Sequence, residues 1–328
     1  MPPALALLLL LAAAGLSLAA TVAPLALYTV TLAGFGLAHV LSEFAYVDRR
    51  FGRRLVPGQV AGLALLLAVA AGFRAAGVFA LLPVETALMA ELATVTALIL
   101  LVAGGGWAAP AALAAALPLA VATALAPFTT AVVLSIGHNL TPLGFLWEIL
   151  PRGRRRGAMA LALFCFVGLP LIIASGWPRA LLGLGDAGLD PLASGGIAAH
   201  LHVYVPAPWR DGPAALDLFA ASAAAQGMHY LAVIVILPLL QGRARGLVPW
   251  PRLPLFAGLV ALGSLVAFGG FLRDFAAARG FYGILASVHA WAELPLLALI
   301  AGGGLQPKTS LPTTKEAPLA ASESSSAR

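Results

Sequence analysis

Ten apolar stretches, each long enough to cross a hydrocarbon layer, leave this 328-residue chain few architectures. A helical crossing takes about 20 apolar residues, and its backbone groups must be satisfied within the segment because lipid offers no partner. The chain therefore predicts an all-α fold, a polytopic integral membrane helical bundle over residues 1–304. Charge and proline partition its spans as about 4–20, 24–46, 57–73, 83–103, 108–126, 128–150, 158–175, 216–240, 254–272 and 281–303. Some boundaries rest only on a glycine cluster, Gly104-Gly105-Gly106, or on Pro127, so the count lies between eight and ten.

Composition points the same way. Hydrophobic residues make up 61% and charged residues 10%, and the mean hydropathy is +0.97. That is too little polar side chain to cover a soluble globule of this length. The formal charge of +6 does not indicate nucleic acid, because the arginines stand in short clusters between apolar runs, as in loops facing anionic lipid. Cys165 is the only cysteine and lies in an apolar run, so it reads as a small buried hydrophobe and makes no internal disulfide.

Three arginine clusters set the topology. Arg49, Arg50, Arg53 and Arg54 form the first, Arg152, Arg154, Arg155 and Arg156 the second, and Arg243, Arg245 and Arg252 the third. Four spans and then two separate them, so all three share one side. The positive-inside rule makes that side, and both termini, cytoplasmic in a bacterial-type inner membrane. Reporters placed after residues 54, 156, 246 and 305 are expected to agree. Arg74, Arg179, Arg210, Arg273 and Arg279 fall on the other side and weaken the pattern.

The first run lacks a basic leading segment, and the apolar stretch continues past Pro24 to Val47, so it reads as a span and not as a cleaved signal. Residues 176–212 form an extramembrane loop, long enough to act as a lid, an interfacial helix or a partner surface. Its His200 and His202 read as surface residues. From Leu305 onward the chain turns to Lys, Thr, Pro, Glu and Ser, which predicts a disordered cytoplasmic tail over 305–328.

Four histidines carry the functional signal: His39, His138, His229 and His289 fall one apiece in four separate spans. Imidazole in hydrocarbon needs a partner, a metal or a wet cavity. His39 with Glu43, and His289 with Glu293, repeat an i,i+4 spacing that puts imidazole and carboxylate on one helical face. Pro142 frees the backbone carbonyl of His138, where a broken helix can line a cavity. Glu43, Glu91, Glu293, Asn139 and Tyr230 are candidates for additional ligands or for acceptors that hold a histidine tautomer. His39 and Glu43 lie close to the Arg49 cluster, which makes snorkelling toward the interface a rival role for Glu43. By depth, alanine at His138, His229 or His289 is expected to remove more metal than alanine at Glu43, with His200 and His202 mattering little.

Imidazole with carboxylate favours Fe or Zn over Cu(I), which leaves Fe(2+), Zn(2+) and haem open as the cofactor. The pattern also admits a proton-coupled transporter using the intramembrane acids and histidines, or a bis-histidine haem protein. No GxGxxG feeding a helix after a strand, no Walker motif, no CxxCH haem attachment and no HExxH signature occurs, which disfavours a Rossmann enzyme or an ATP-driven pump. No catalytic residue and no oligomeric state can be assigned from these patterns.

A membrane protein with one histidine in each of four separated helices resembles the Brp/Blh membrane beta-carotene dioxygenase family. The resemblance covers about residues 24–303, with His39, His138, His229 and His289 in the matching positions. The family's early His-Gly followed by an acid stands here as His39-Val40 with Glu43, and the other flanks read Gly137-His138-Asn139 and Met228-His229-Tyr230. The resemblance implies a non-haem iron held by the histidines, an oxidative cleavage, and an apolar carotenoid or lipid substrate arriving from the bilayer.

Overall fold

The computed structural model describes residues 2–185, 188–242 and 245–303. Among these the fold is all-helical, and nine helices are long and apolar enough to cross a membrane. In chain order, the first seven helices are α1 Pro3–Val22, α2 Pro24–Gly52, α3 Pro57–Val78, α4 Val84–Ala103, α5 Gly106–Leu125, α6 Pro127–His138 and α7 Thr141–Ile149. Then come α8 Arg152–Ala174, the short helices α9 Trp177–Leu181, α10 Gly196–Tyr204 and α11 Ala207–Arg210, and the long α12 Ala215–Gln241, α13 Leu253–Arg273 and α14 Phe275–Ala301. The expected tail over 305–328 lies outside the described residues.

One expected span is not a single helix. Residues 128–150 divide into α6 and α7, which meet at Asn139 and Leu140. Pro142 has no N–H to return to His138, and the freed carbonyl instead accepts the Thr141 hydroxyl at 2.8 Å. The 176–212 connection contains the short helices α9, α10 and α11.

Helix packing follows membrane rules. Lipid tails are as apolar as leucine, so association relies on close packing of small residues. Ala20 of α1, Ile173 of α8 and Ala220, Ala221 and Ala224 of α12 form one such seam. At Gly36 of α2 a Cβ would lie 2.8 Å from the Tyr282 ring, so the absence of a side chain there admits that aromatic next to His39.

Polar contacts bring the first arginine cluster together with Glu148, beside the second cluster, and with the segment 246–250, beside Arg245 and Arg252 of the third, at one end of the bundle. Glu148, at the end of α7, accepts from Arg50 Nε and Nη2 at 2.7 and 2.9 Å and from Arg54 Nη1 at 2.9 Å. The second cluster begins four residues later, at Arg152. Arg53 Nε donates to the Gly246 carbonyl at 3.0 Å, and Asp48 accepts from the backbone N–H groups of Leu247 and Val248 and from Trp250 Nε1. Several opposite-end arginines are occupied inside the fold: Arg74 pairs with Glu91 at 2.8 Å and Arg179 with Asp217 at 2.7 Å. They therefore count little against the asymmetry that orients the chain. Single cysteines at residues 54, 156 and 246 are expected to react with an impermeant reagent from the same face, the cytoplasmic one. Labelling of 156 and 246 from opposite faces would remove one of the crossings between them.

Candidate metal centre

The four histidines, separated by up to 250 positions in sequence, meet at one point near mid-bundle. His39 and Glu43 come from α2, His138 from the last residue of α6, His229 from α12 and His289 from α14. Each offers one ligand atom, and the five atoms lie within 4.8 Å of one another. His289 Nε2 is central: it is 3.0 Å from His39 Nε2 and 3.0 Å from His138 Nε2. Glu43 Oε2 lies 3.5 Å from His229 Nε2 and 3.8 Å from His289 Nε2.

These distances are awkward for hydrogen bonding and natural for cation binding. His289 Nε2 carries either one proton or one lone pair, so it cannot satisfy both neighbouring imidazole nitrogens. Both oxygens of Glu43 and both ring nitrogens of His229 are buried without a hydrogen-bond partner, an arrangement that costs free energy unless something else fills it. Two nitrogens about 2.1 Å from a shared cation and at right angles lie about 3.0 Å apart, and opposite ones about 4.2 Å. The observed spacings are close to those of a five- or six-coordinate ion.

The repeated i,i+4 pattern has two different outcomes. Glu43 stands with His39 at the centre, whereas Glu293 turns away from His289 and sets Oε2 2.6 Å from Nδ1 of His138. The ring N–H does not point straight at that oxygen, so the contact is a bent one in which the carboxylate faces the N–H dipole of a neutral ring. A carboxylate on Nδ1 leaves the Nε2 lone pair facing inward, the arrangement that orients metal-binding histidines. His39 is held by its ring: Tyr230 stacks on it at 4.1 Å between centroids and 21° between planes. The Tyr230 hydroxyl lies 3.2 Å from that of Tyr282. One turn past His229, α12 passes through a π-turn at Ala232–Ile236, a distortion frequent at functional sites.

Depth differs from what the position of the Arg49 cluster suggests. Glu43 is 1% exposed and His39 2%, so Glu43 does not snorkel. His138 is the most open member of the set, with 13% of its side chain exposed. The span of α2 is longer than its apolar pattern implies, running on through a π-turn to Gly52. Glu43 stands in the same cluster as the four histidines and is as buried as His39, His229 and His289.

The remaining candidates separate. Glu91 is buried outside the centre, where it accepts from Arg74 and from Trp291 Nε1 at 2.6 Å, and no histidine is its partner. Asn139 donates weakly to the Ser135 carbonyl at 3.5 Å. His202 is exposed, but His200 is not the surface residue expected. It is 1% exposed, packs against the rings of Tyr28, Phe219 and Phe275, and lies 3.0 Å from Ser194 Oγ. Burial first, and then the Arg279 charge, push its pKa down to about 4, so it stands neutral. Neither His200 nor His202 belongs to the five-residue cluster.

Sequence reasoning missed Glu148, whose arginine pairs fix the end of α7 and so help position His138, and Tyr282, which braces Tyr230. Tyr282 stands seven residues before His289 on the same helix, two turns apart on one face, and that spacing was the available signal. A cavity of about 600 Å³ opens from the centre and is lined by His39, His138 and His289 among others. Searches of protein-family models, curated proteins and solved structures return nothing similar to this chain.

Proposed function

We propose that the chain is a membrane-embedded, non-haem iron enzyme of oxygenase type that acts on a lipid-soluble substrate. The observation that carries this reading is the convergence of four imidazole nitrogens and one carboxylate oxygen on one buried point beside a cavity. Neutral imidazole with carboxylate suits iron or zinc, and no Cys, which would favour Cu(I), belongs to the set. Cis spacing of the nitrogens favours five- or six-coordination over a tetrahedral zinc site, in which neighbouring nitrogens lie about 3.4 Å apart. His39, His138, His229, His289 and Glu43 would hold the ion, and Glu293 would keep His138 in the ligating tautomer. When bound, iron supplies the capacity to activate dioxygen; the protein supplies a dry, shaped site and access from the bilayer.

Two other readings fit less well. A bis-histidine haem needs two axial nitrogens about 4 Å apart across the ring plane, whereas His289 Nε2 has two imidazole nitrogens at 3.0 Å and a carboxylate oxygen at 3.8 Å. A proton-coupled transporter gains support from the helix break beside His138. A relay, however, would string its groups along a path, and here they converge.

Carotenoid cleavage, which the Brp/Blh resemblance suggests, remains part of this proposal as one lipid-soluble reaction of the class. Elemental analysis of gently purified protein is the direct test. About one iron per chain is expected, falling sharply in His138→Ala. Metal far below stoichiometric in the parent protein and unchanged in that variant would remove the reading, and flux driven by a pH gradient and lost in Glu293→Gln would replace it with the transporter.

A further inference from the structure

The cavity is not uniformly apolar: besides the histidines of the centre and the Arg74–Glu91 pair, it carries a further charged group. At the end away from the arginine clusters, the half-buried Arg279 lines it. Its guanidinium lies over the Tyr204 ring at 5.8 Å and donates to the Tyr204 hydroxyl at 3.4 Å. That hydroxyl is in turn 2.8 Å from Tyr28 Oη. Gln226 also faces the cavity, donating to Thr31 Oγ1 at 3.0 Å. Among the described residues no carboxylate pairs with Arg279, whereas Arg74 and Arg179 at the same end each have one. A partly desolvated guanidinium whose hydrogen-bond partner among the described residues is a tyrosine hydroxyl, with the neutral His200 also within its field, is an electrostatic vacancy for an anion.

Between Arg279 and the centre the cavity walls include the apolar Leu32, Leu88 and Ala131, with Ser287 also lining it. Arg279 and His289 are ten residues apart on α14, which is about 15 Å along the axis. The lining also includes Val78, Val84 and Phe128, which are exposed on the outer face of the bundle. These residues lie at the end of α3 and at the starts of α4 and α6, level with Arg279 near the start of α14. The rim therefore meets lipid at the depth where a leaflet amphiphile changes from head to chain.

We propose that this cavity takes an anionic amphiphile, with its acidic head at Arg279 and its hydrocarbon chain directed inward to the histidine centre. The inference rests on the metal-site reading only for what the chain meets at its inner end; the head site stands on Arg279 and its tyrosines. The head is a carboxylate or a phosphate, and it enters from the leaflet opposite the arginine clusters. A wholly apolar occupant would leave the guanidinium uncompensated.

Binding to the full-length protein in detergent tests this, using a long-chain fatty acid, its methyl ester and a lysophosphatidic acid of the same chain, with metal content measured on each sample. The acid or the phosphate is expected to bind at least on the order of tenfold more tightly than the ester, and Arg279→Gln to abolish that preference with metal content unchanged. Which of the two anions binds better identifies the head. Equal binding of acid and ester by the parent protein, or binding of none of the three, overturns the proposal whether or not the variant folds. Protein that lacks metal but keeps the preference for anions would instead refute the iron reading and leave the head site standing.

Discussion

Replacing His289 by alanine is expected to empty the centre, lowering metal affinity by more than the roughly 10- to 100-fold typical of losing a supporting contact. His289 Nε2 is the atom through which the others are related, 3.0 Å from His39 Nε2 and 3.0 Å from His138 Nε2. Without it the nearest remaining donors are not bridged, and α14 loses its own contribution to the set. Glu43→Gln is expected to be a strong second, because Glu43 is the one carboxylate at the centre and has no other partner. His200→Ala and His202→Ala serve as controls and should leave metal content at the parent level, since neither belongs to the cluster. The measurement is metal per chain at matched expression. An empty site in His200→Ala together with a full one in His229→Ala would show that the ligands come from the 176–212 connection instead.

The second large effect is expected at a residue that does not reach the ion. Glu293→Gln should weaken metal binding by about 10- to 100-fold, because it removes the charge 2.6 Å from His138 Nδ1 and with it the preference for the inward-facing lone pair. Glu91→Gln is the matched comparison. It too removes a buried carboxylate, but its partners are Arg74 and Trp291, so metal affinity should hold while thermal stability falls. Titration of the apo protein with Fe(2+) or Zn(2+), alongside a melting curve, separates the two outcomes. Equal loss of affinity in both variants would mean that Glu293 acts through general packing and not through His138.

The tie between α2 and α7 shows why such effects are local. Glu148 is held by Arg50 and Arg54, and this anchors the second half of the broken α6–α7 crossing whose first half ends at His138. The helix break is thereby braced at one end by ion pairs and at the other by the Thr141 hydroxyl.

Much of this architecture was legible in the linear chain because bilayer thickness acts on each segment separately. Whether Pro57–Val78 or Leu253–Arg273 crosses depends on its own apolar length and not on its neighbours, and the clustered arginines carry sidedness in the same local way. One-per-span histidines could be singled out for a similar reason, since each is costly in lipid on its own account. The partnerships were decided only by tertiary structure. His39-x-x-x-Glu43 and His289-x-x-x-Glu293 are the same local pattern, yet one acid joins the centre and the other serves a histidine from a different helix. An i,i+4 spacing fixes which face two side chains share but not what the opposing helix presents to that face. Glu91 and His200 teach the same lesson: an arginine seventeen residues away claims the first, and three aromatic rings from distant helices bury the second. Such contacts arise from the packing of whole helices, which no single segment encodes.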